Sequence, residues 1–323
     1  MIVHHDISQF KVKYPVVTIG IFDGVHLGHR YILEELKKVA DSSDGESVII
    51  TLWPHPRLLL NREHKNFNLL TTQPEKIQIL EASGIDHLVI LPFSHELSRM
   101  SSCDFIEKIL VGAIGIGKLI VGYNHRFGRD REGNFRELKK CAEKFEFSIV
   151  RLDAFQLDKR KISSSEIRKL LYSGNVEEAN KLLGWTYSFS GQVVGGSQLG
   201  NSIGFPTANI ITDEPYKLLP ADGVYAVEAE MKNKLHRGMM NKGSRPTVNK
   251  DPQKKTLEVH LLDFHDNIYS EQIRIRFIAR IRDEQRFESI ETLKAQLGRD
   301  REKVIRVFQR HRFSGENGNF VSP

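Results

Sequence analysis

The chain has 323 residues, of which 40% are hydrophobic and 27% are charged, and its formal net charge is +6. This composition is typical of a globular protein of about two domains, and it excludes a chain that is disordered over most of its length. The mild basic excess suits polyanionic small molecules as well as nucleic acid, so charge alone does not separate these partners. Cys103 and Cys141 form no CxxC pair and no disulfide framework, which favours a reducing compartment.

The N-terminal segment MIVHHDISQF has no basic region followed by an apolar run. We therefore expect no export signal and a cytoplasmic location. The longest apolar run, ILVGAIGIGKLIVG, is rich in glycine and is interrupted by Lys118. Because a membrane span needs ~20 consecutive apolar residues, we expect no transmembrane segment.

Residues 1 to about 155 alternate short apolar runs with amphipathic segments of helical length. The apolar runs are PVVTIGIF, SVIITLW, HLVILPF, KLIVGY and FSIVRL. The amphipathic segments are HRYILEELKKVADS, PEKIQILEAS, SCDFIEKILVGAI and NFRELKKCAEKF. This alternation predicts a parallel sheet with crossover helices.

The rest of the chain has a different pattern. SSSEIRKLLYSGNVEEANKLLG predicts two short helices with Gly174 at the turn between them. From Trp185, β-rich segments with regular turn signals predict a small antiparallel barrel or sandwich, followed by a helix in FESIETLKAQLGRDREKVIRVFQRH. We place the domains at residues 1–184, including linker helices at 163–184, and at 185–313, followed by a loose tail at 314–323.

The stretch GIFDGVHLGH places a glycine-rich turn and two histidines between the end of a strand and the start of a helix. Free backbone N–H groups at such a helix start form an anion site. His26 and His29, three residues apart, would share one helix face and reach a bound phosphate, while Gly28 removes the side chain between them. The pattern indicates nucleotidyl transfer, in which the histidines stabilise charge on the α-phosphate as pyrophosphate leaves. The alternative is two surface histidines beside a tight turn.

These residues carry a family resemblance. HLGH resembles the HxGH signature of the nucleotidyltransferase superfamily, and GIFDGVHLGH resembles the bacterial bifunctional riboflavin kinase/FMN adenylyltransferases, or FAD synthetases. TLWPHP resembles the TFxPHP element of this family, with Trp53 at a position that is usually not tryptophan. GYNHRFGRDREG resembles its GxDFxFGxxRxG loop. KISSSEIRKLL resembles ISSTxIR. It also fits a capping box, in which the Ser163 side chain caps the helix and the Glu166 side chain bonds back to the N-cap backbone N–H.

The resemblance implies that the N-terminal domain is Rossmann-like and adenylylates FMN to FAD. It implies that His26 and His29 are catalytic. The serine hydroxyls, the helix N-terminus and the arginine of the ISSS segment would hold the β- and γ-phosphates of ATP. The nucleotide-binding residues implied are Gly20, Phe22, Asp23, Gly24, Asn124, Ser163, Ser164, Ser165 and Arg168.

A second glycine-rich segment, GAIGIGK at 112–118, fits only part of a P-loop. Leu119 stands where a serine or threonine hydroxyl must meet Mg²⁺, and the following KLIVGY is predicted as a strand rather than a helix. We interpret this segment as a structural turn.

GNSIGFPTANI at 200–210 contains FPTAN, which resembles the signature of riboflavin kinases. Thr207 and Asn209, two apart on an extended segment, can face one Mg²⁺. Alone, PTAN is equally consistent with the start of a strand after a turn. LPADGVYAV, NKGSRPTV and LEVHLLDF resemble further motifs of the same family, in the family's order.

The resemblance implies that the C-terminal domain is a six-stranded antiparallel flavokinase barrel with a C-terminal helix. It would phosphorylate riboflavin to FMN with ATP and Mg²⁺, and its nucleotide would contact Gly204, Pro206, Thr207 and Asn209. Glu258 would be the general base that accepts the proton of the ribityl 5′-hydroxyl. For a lone glutamate on an amphipathic strand, a solvated face is the alternative.

Three residues depart from the family pattern. Asn201 stands where arginine is frequent, Lys242 replaces an apolar residue, and Ser270 replaces a glycine. The first departure leaves open a protein in which only one half is active.

A nucleic-acid-binding barrel is the alternative from another class. Its aromatic candidates, Phe189, Tyr225 and Phe264, fall at a strand spacing typical of a core. We expect small-molecule substrates, with no nucleic acid and no membrane as partner, and the sequence leaves the oligomeric state open.

Overall fold

The structure is a computed structural model that describes residues 1–60, 67–123, 128, 135–157, 160–195, 199–244 and 255–314. Contacts divide the chain into two compact units, one from Met1 to Ser164 and one from Ser165 onward. The predicted tail lies outside the described residues apart from Ser314, which ends the last helix.

The first unit is built on a six-stranded sheet in which all neighbouring strands are parallel, in the order β1-β4-β3-β2-β5-β6. The strands are β1 (Ile2–His4), β2 (Pro15–Ile19), β3 (Glu46–Trp53), β4 (His87–Pro92), β5 (Lys118–Val121) and β6 (Ser148–Arg151). A short hairpin, β7 (Gln156–Leu157) with β8 (Arg160–Lys161), follows. The predicted parallel sheet is confirmed.

Helices connect these strands, as the alternating pattern predicts. They are α1 (Leu27–Ser42), α2 (Pro56–Leu60), α3 (Gln73–Glu81), α4 (His95–Arg99), α5 (Ser102–Phe105), a π-helical segment (Ile106–Ala113) and α6 (Phe135–Lys144). Consecutive residues of β3, such as Val48, Ile49 and Ile50, are all fully buried. Because successive side chains on a strand point to opposite faces, both faces of the sheet are covered.

The segment GAIGIGK does not open a helix. It leaves the π-helical segment through Gly115, whose φ is +69°, and enters β5 at Lys118. Its prediction as a structural turn is confirmed.

The second unit is a closed barrel of six antiparallel strands in the order β10-β13-β12-β11-β14-β9. The strands are β9 (Ser188–Val194), β10 (Ala208–Thr212), β11 (Gly223–Met231), β12 (Lys234–Ser244), β13 (Lys255–Leu261) and β14 (Gln272–Arg282). The helices are α7 (Ser164–Tyr172), α8 (Val176–Leu183), α9 (Leu199–Ser202) and α10 (Ile290–Ser314). The predicted barrel and C-terminal helix are confirmed.

The two predicted linker helices, α7 and α8, are joined at Gly174, whose φ is +77°. A Cβ atom at this position would lie 2.7 Å from the Arg280 guanidinium, so both conformation and space favour glycine. Contacts group residues from Ser165 with the barrel, and α8 packs on β14. The boundary between the two catalytic domains, which we place after residue 184, stays a prediction.

Aromatic side chains fill the barrel interior. Tyr187, Phe189, Tyr225 and Phe277 have no exposed surface. The two buried hydroxyls are satisfied, since Tyr187 donates to the Leu218 carbonyl at 2.7 Å and Tyr225 donates to a carbonyl at 2.6 Å. Phe189 and Tyr225 are therefore core residues and cannot stack on the bases of a nucleic acid.

Candidate active sites

The HxGH turn is a tight loop tied to a neighbouring segment. Phe22 and Val25, with φ of +51° and +33°, both have left-handed backbone conformations. One carboxylate oxygen of Asp23 accepts the backbone N–H groups of Leu70 and Thr71, at 3.0 and 3.1 Å. This carboxylate therefore fixes the loop that leads into α1, and its predicted contact with nucleotide stays a prediction.

His26 is the N-cap of α1, and its ring contacts that of His29. Its Nδ1 accepts the backbone N–H of His29 at 3.2 Å, and the two rings stack with centroids 3.7 Å apart. A Cβ atom on Gly28 would approach His26 Nδ1 to 3.2 Å, so the glycine makes room for the ring, as the spacing predicts. Because Nδ1 is an acceptor, the proton of neutral His26 lies on Nε2, which can donate to a ligand.

Both imidazoles are electrically neutral at pH 7. Burial lowers the pKa of His26 to about 4. Burial also lowers the pKa of His29 well below its ordinary value, with further contributions from His26 and the positive charge of Lys76. The pair therefore offers hydrogen-bond donors to a phosphate rather than positive charge.

Other predicted nucleotide-site residues meet at this turn. The Ser164 hydroxyl donates to the Asp23 carbonyl at 2.9 Å, which brings the ISSS segment to the HxGH loop. Phe22 is buried, its ring packs edge-on against that of His29 with centroids 5.1 Å apart, and a Cβ on Gly20 would clash with the Phe22 ring at 2.8 Å. Gly24 lies in the same loop, and its N–H donates to the Thr71 hydroxyl.

The remaining predicted residues of this site are placed less completely. Ser163 immediately precedes α7, the position of an N-cap, and Ser165 and Arg168 lie on that helix. Asn124 lies outside the described residues. The roles of these four residues stay predictions.

Lys76, which contacts the residue before the HxGH loop, was not singled out by the sequence analysis. It is 4% exposed, and its ammonium donates to the Ile21 carbonyl and to the Thr51 hydroxyl, each at 3.2 Å. It lies 5.9 Å from the Trp53 ring centroid. Burial lowers its pKa to about 8, against the opposing charge of Asp23. The available signal was the spacing of Lys76 with apolar residues three and four positions later on the predicted helix.

In the barrel, the predicted kinase segment turns tightly before β10. The N–H of Phe205 donates to the Gly200 carbonyl at 2.8 Å, and Gly204 has a φ of +83°. A Cβ on Gly200 would lie 2.2 Å from the Phe205 carbonyl oxygen and 3.2 Å from Thr207 Oγ1. These glycines allow the chain to reverse, and the turn brings Thr207 next to the start of the strand.

Strand register brings the predicted kinase residues together. Asn209 lies directly opposite Glu258 in the antiparallel pair of β10 and β13, and Asn241 lies opposite Glu258 on β12. Directly opposed residues point to the same face, which therefore gathers two amides and a carboxylate. Thr207 lies one residue before β10. Neither Asn241 nor its proximity to Glu258 follows from the sequence analysis.

Pro206 is held by His260, another residue that the sequence analysis missed. His260 Nδ1 donates to the Pro206 carbonyl at 2.8 Å, and the His260 ring packs edge-on against Phe205. His260 is two residues after Glu258 and shares its face of β13. The strand that carries the predicted base thus also anchors the turn that carries Thr207.

The structure shows the surroundings of the three residues that depart from the family pattern. The Lys242 ammonium pairs with the Asp222 carboxylate at 2.5 Å, and Lys255 pairs with the same carboxylate. Ser270 has a φ of +65°, a conformation that glycine adopts at lower cost. Asn201 is exposed, and its carbonyl accepts the Gly204 N–H.

Comparison with known proteins matches each half of the chain to a family model. Residues 9–166 match the family model of FAD synthetase, and residues 183–308 match that of riboflavin kinase. Bifunctional riboflavin kinase/FMN adenylyltransferases of Listeria monocytogenes and Escherichia coli K12 are 36% and 37% identical to this chain. These alignments cover 94% and 92% of this chain and 96% and 93% of the relatives.

A solved structure described as a macrolide-efflux protein from Streptococcus pneumoniae is 30% identical, with a TM-score of 0.84 over 93% of this chain and 97% of that one. In the part of this chain that the structure describes, no helix combines the length and apolar character needed to cross a membrane. The two family matches and the nearly full-length identity to curated relatives show that the chain belongs to the family of bifunctional riboflavin kinase/FMN adenylyltransferases.

Proposed function

We propose that this chain makes FAD from riboflavin in two ATP-dependent steps at two separate sites. Riboflavin is phosphorylated to FMN at the barrel, and FMN is adenylylated, with release of pyrophosphate, at the HxGH turn. The observation that supports the proposal is that each unit brings together two motif residues of one predicted site. The stacked His26 and His29 lie in the first unit, and the opposed Asn209 and Glu258 lie in the second.

In adenylyl transfer, an oxygen of the FMN phosphate attacks the α-phosphorus of ATP, and the bond to the pyrophosphate oxygen breaks. The protonated Nε2 of His26 and the ring of His29 donate hydrogen bonds to the α-phosphate oxygens, on which charge accumulates. Stacking and the N-cap hydrogen bond fix the direction of the His26 donor before substrate arrives.

The other predicted residues complete the nucleotide site. Ser163, Ser164, Ser165 and Arg168 hold the departing phosphates. The loop residues Gly20, Phe22, Asp23 and Gly24, together with Asn124, shape the rest of the nucleotide site. The contact from Ser164 to the HxGH loop supports this assignment.

In the kinase step, the Glu258 carboxylate accepts the proton of the riboflavin 5′-hydroxyl as that oxygen attacks the γ-phosphorus of ATP. Gly204 and Pro206 form the turn that would cover the phosphates, and the His260 hydrogen bond holds this turn in place. Asn209, directly opposite Glu258, lies where it can orient the same phosphate.

Mg²⁺ fits the residues of the barrel site. Thr207 and Asn209 offer a hydroxyl and an amide oxygen beside a carboxylate, and oxygen ligands are those that Mg²⁺ prefers. Bound Mg²⁺ would neutralise phosphate charge during transfer. We also propose a cytoplasmic location with small molecules as the partners, because both steps consume ATP.

Two single substitutions test whether the sites are independent. We expect Glu258→Ala to stop FMN formation and to leave conversion of FMN to FAD intact, and His29→Ala to do the reverse. Both activities are measured on each purified variant by chromatographic separation of the flavins. Loss of both activities in a folded variant would show that the sites are not independent, and an unchanged activity would remove that residue from its role. A wild-type protein with only one activity would favour the interpretation that one half is structural or regulatory.

A further inference from the structure

The first turn of α3, where Gln73 and Lys76 lie, borders the HxGH loop and carries no role in the account above. We propose that this turn is part of the adenylyl-transfer site, where the Lys76 ammonium supplies a fixed positive charge and the Gln73 amide hydrogen-bonds the bound substrate. This inference rests on the adenylyl transfer proposed above and adds two residues to that site.

Lys76 is a buried charge whose partners are neutral. Its ammonium has three N–H donors, and in the described part of the chain two of them go to the Ile21 carbonyl and the Thr51 hydroxyl. Lysine is rarely this buried without a carboxylate in hydrogen-bond contact, since neutral oxygens compensate only partly for the loss of water. The negative charge of Asp23 offsets part of this loss, and such an arrangement is expected where a ligand brings further negative charge.

The position of Lys76 relative to the histidines supports this role. The carbonyl that it binds belongs to Ile21, which directly precedes the loop residues of the HxGH turn. After burial and the charge of His26, the charge of Lys76 is the third cause that lowers the pKa of His29. Because both histidines are neutral, Lys76 brings positive charge to the site that the histidines do not provide.

Gln73 provides an independent observation on the same helix. Both polar atoms of its amide are buried and have no hydrogen-bond partner among the described residues, and the same holds for Nδ1 of His29. Buried polar groups in native proteins almost always have partners, so these atoms point to a ligand or an ordered water. Gln73 lies three residues before Lys76 and therefore on the same helix face.

The local geometry explains why this turn faces the site. Thr72 and Glu75 form a capping box that fixes the start of α3. The preceding Thr71 contacts both Asp23 and Gly24 in the HxGH loop. The start of α3 is thus tied to the loop that positions the two histidines.

The charge acts on the transition state. Negative charge accumulates on the α-phosphate oxygens as the bond to FMN forms and the bond to pyrophosphate breaks. A fixed positive charge in a buried site stabilises this state more than it does in water. Lys76 holds the Ile21 carbonyl and acts through its field, so it is a positioning residue rather than a catalytic one.

The test compares Lys76→Met with Lys76→Arg in adenylylation of FMN. We expect Lys76→Met to lower kcat roughly 10²-fold, as loss of one preorganised charge stabiliser does, and Lys76→Arg to recover most of this loss. Lys38→Met is the matched control, because this exposed lysine on α1 pairs with Glu35 across one helical turn, and we expect it to match wild type. Riboflavin phosphorylation by the same preparations reports whether the barrel is intact.

Folding of the first unit is checked by thermal unfolding. Should Lys76→Met melt earlier than wild type, the comparison is made with Lys76→Gln, which keeps a donor for the Ile21 carbonyl and removes the charge. For Gln73→Met we expect KM for ATP or FMN to rise about tenfold with kcat near wild type, because the variant loses a hydrogen bond that is made equally in the ground state and the transition state.

Three outcomes would overturn the inference. An unchanged kcat in Lys76→Met and Lys76→Gln would exclude a role for the positive charge in adenylyl transfer. A Lys76→Arg variant as slow as Lys76→Met would show that the role of Lys76 is purely structural. Unchanged kinetics of Gln73→Met would remove the amide contact. Absence of FAD formation by wild type would instead contradict the proposed adenylyl transfer itself, and so the two failures are distinguishable.

Discussion

At the scale of single residues, the helix cap that His26 forms can be separated from the donor role that we propose for it. Its Nδ1 caps α1, which leaves the proton on Nε2, where it can be donated to a phosphate. The cap needs a side-chain hydrogen-bond acceptor, which asparagine also provides. Donation to the phosphate needs the Nε2–H of the imidazole.

We expect His26→Ala and His26→Asn to reduce adenylylation to a similar extent, by roughly 10²-fold, because both remove the imidazole Nε2–H, whose position the shorter asparagine amide does not reach. The two variants should differ in stability, since His26→Ala loses the cap at a cost of about 1 kcal/mol in the free energy of unfolding and His26→Asn keeps it. Urea unfolding and FMN-to-FAD turnover measure the two effects. An active His26→Asn would mean that capping, rather than donation, is what the turn requires.

Ser270, which replaces the glycine usual in the family, allows a test of backbone strain at a single residue. A serine with a φ of +65° is strained, while glycine adopts this conformation without a steric penalty. We expect Ser270→Gly to raise the free energy of unfolding of the barrel unit by up to about 1 kcal/mol, reduced by the larger entropy of glycine in the unfolded chain. Ser270→Ala, which keeps a Cβ atom, should give no gain in denaturant unfolding, and an equal gain in both variants would argue against strain.

Sequence analysis located most of the residues that converge at the two sites, because motif residues stand close together along the chain. It missed Lys76 and His260, because their roles depend on which distant residues they contact. Lys76 binds the Ile21 carbonyl, 55 residues away, and His260 binds that of Pro206, 54 residues away. A lone lysine on a helix is ordinarily solvated, so only the fold shows that this one is buried.

At the scale of elements, the periodic patterns predicted the long strands and helices of both units. The edge strand β1 was missed because three residues are too few to show a pattern. Its place depends on parallel pairing with β4 and on a chain of contacts from His4 through His87 to Glu46. The helix predicted at 102–114 is α5 followed by a π-helical segment, a distinction that hydrophobic spacing does not make.

The C-terminal helix α10 is tied to β14 by an ion pair. Asp300 is fully buried, and both of its carboxylate oxygens accept from Arg282, at 2.8 to 3.1 Å. Gln296 donates to the same carboxylate. Removal of one partner leaves the other charge buried and uncompensated.

We therefore expect Asp300→Ala to lower the free energy of unfolding of the barrel unit by about 3 kcal/mol in urea. Arg301→Ala is the matched control, because its pair with Asp263 is largely exposed and contributes at most about 1 kcal/mol. Equal losses in both variants would contradict the assignment of a specific buried tether.

At the scale of the whole molecule, the HxGH motif lies in the first unit and the kinase motifs lie in the second, whereas the ISSS segment spans the boundary at Ser164. The order of motifs along the chain predicted that the HxGH motif and the kinase motifs belong to different parts of the fold. The position of α7 and α8 was harder to predict, because two short amphipathic helices carry no signal of the surface on which they pack. Structure groups them with the barrel through the contact of α8 with β14.

The division of labour between the units predicts an order of products, because FMN is the product of one site and the substrate of the other. Purified protein is incubated with riboflavin, ATP and Mg²⁺, and the flavins are separated by chromatography over time. We predict that FMN appears first and is then converted to FAD, and that FAD forms without a lag when FMN is supplied. A folded protein that forms neither FMN from riboflavin nor FAD from FMN would contradict the account.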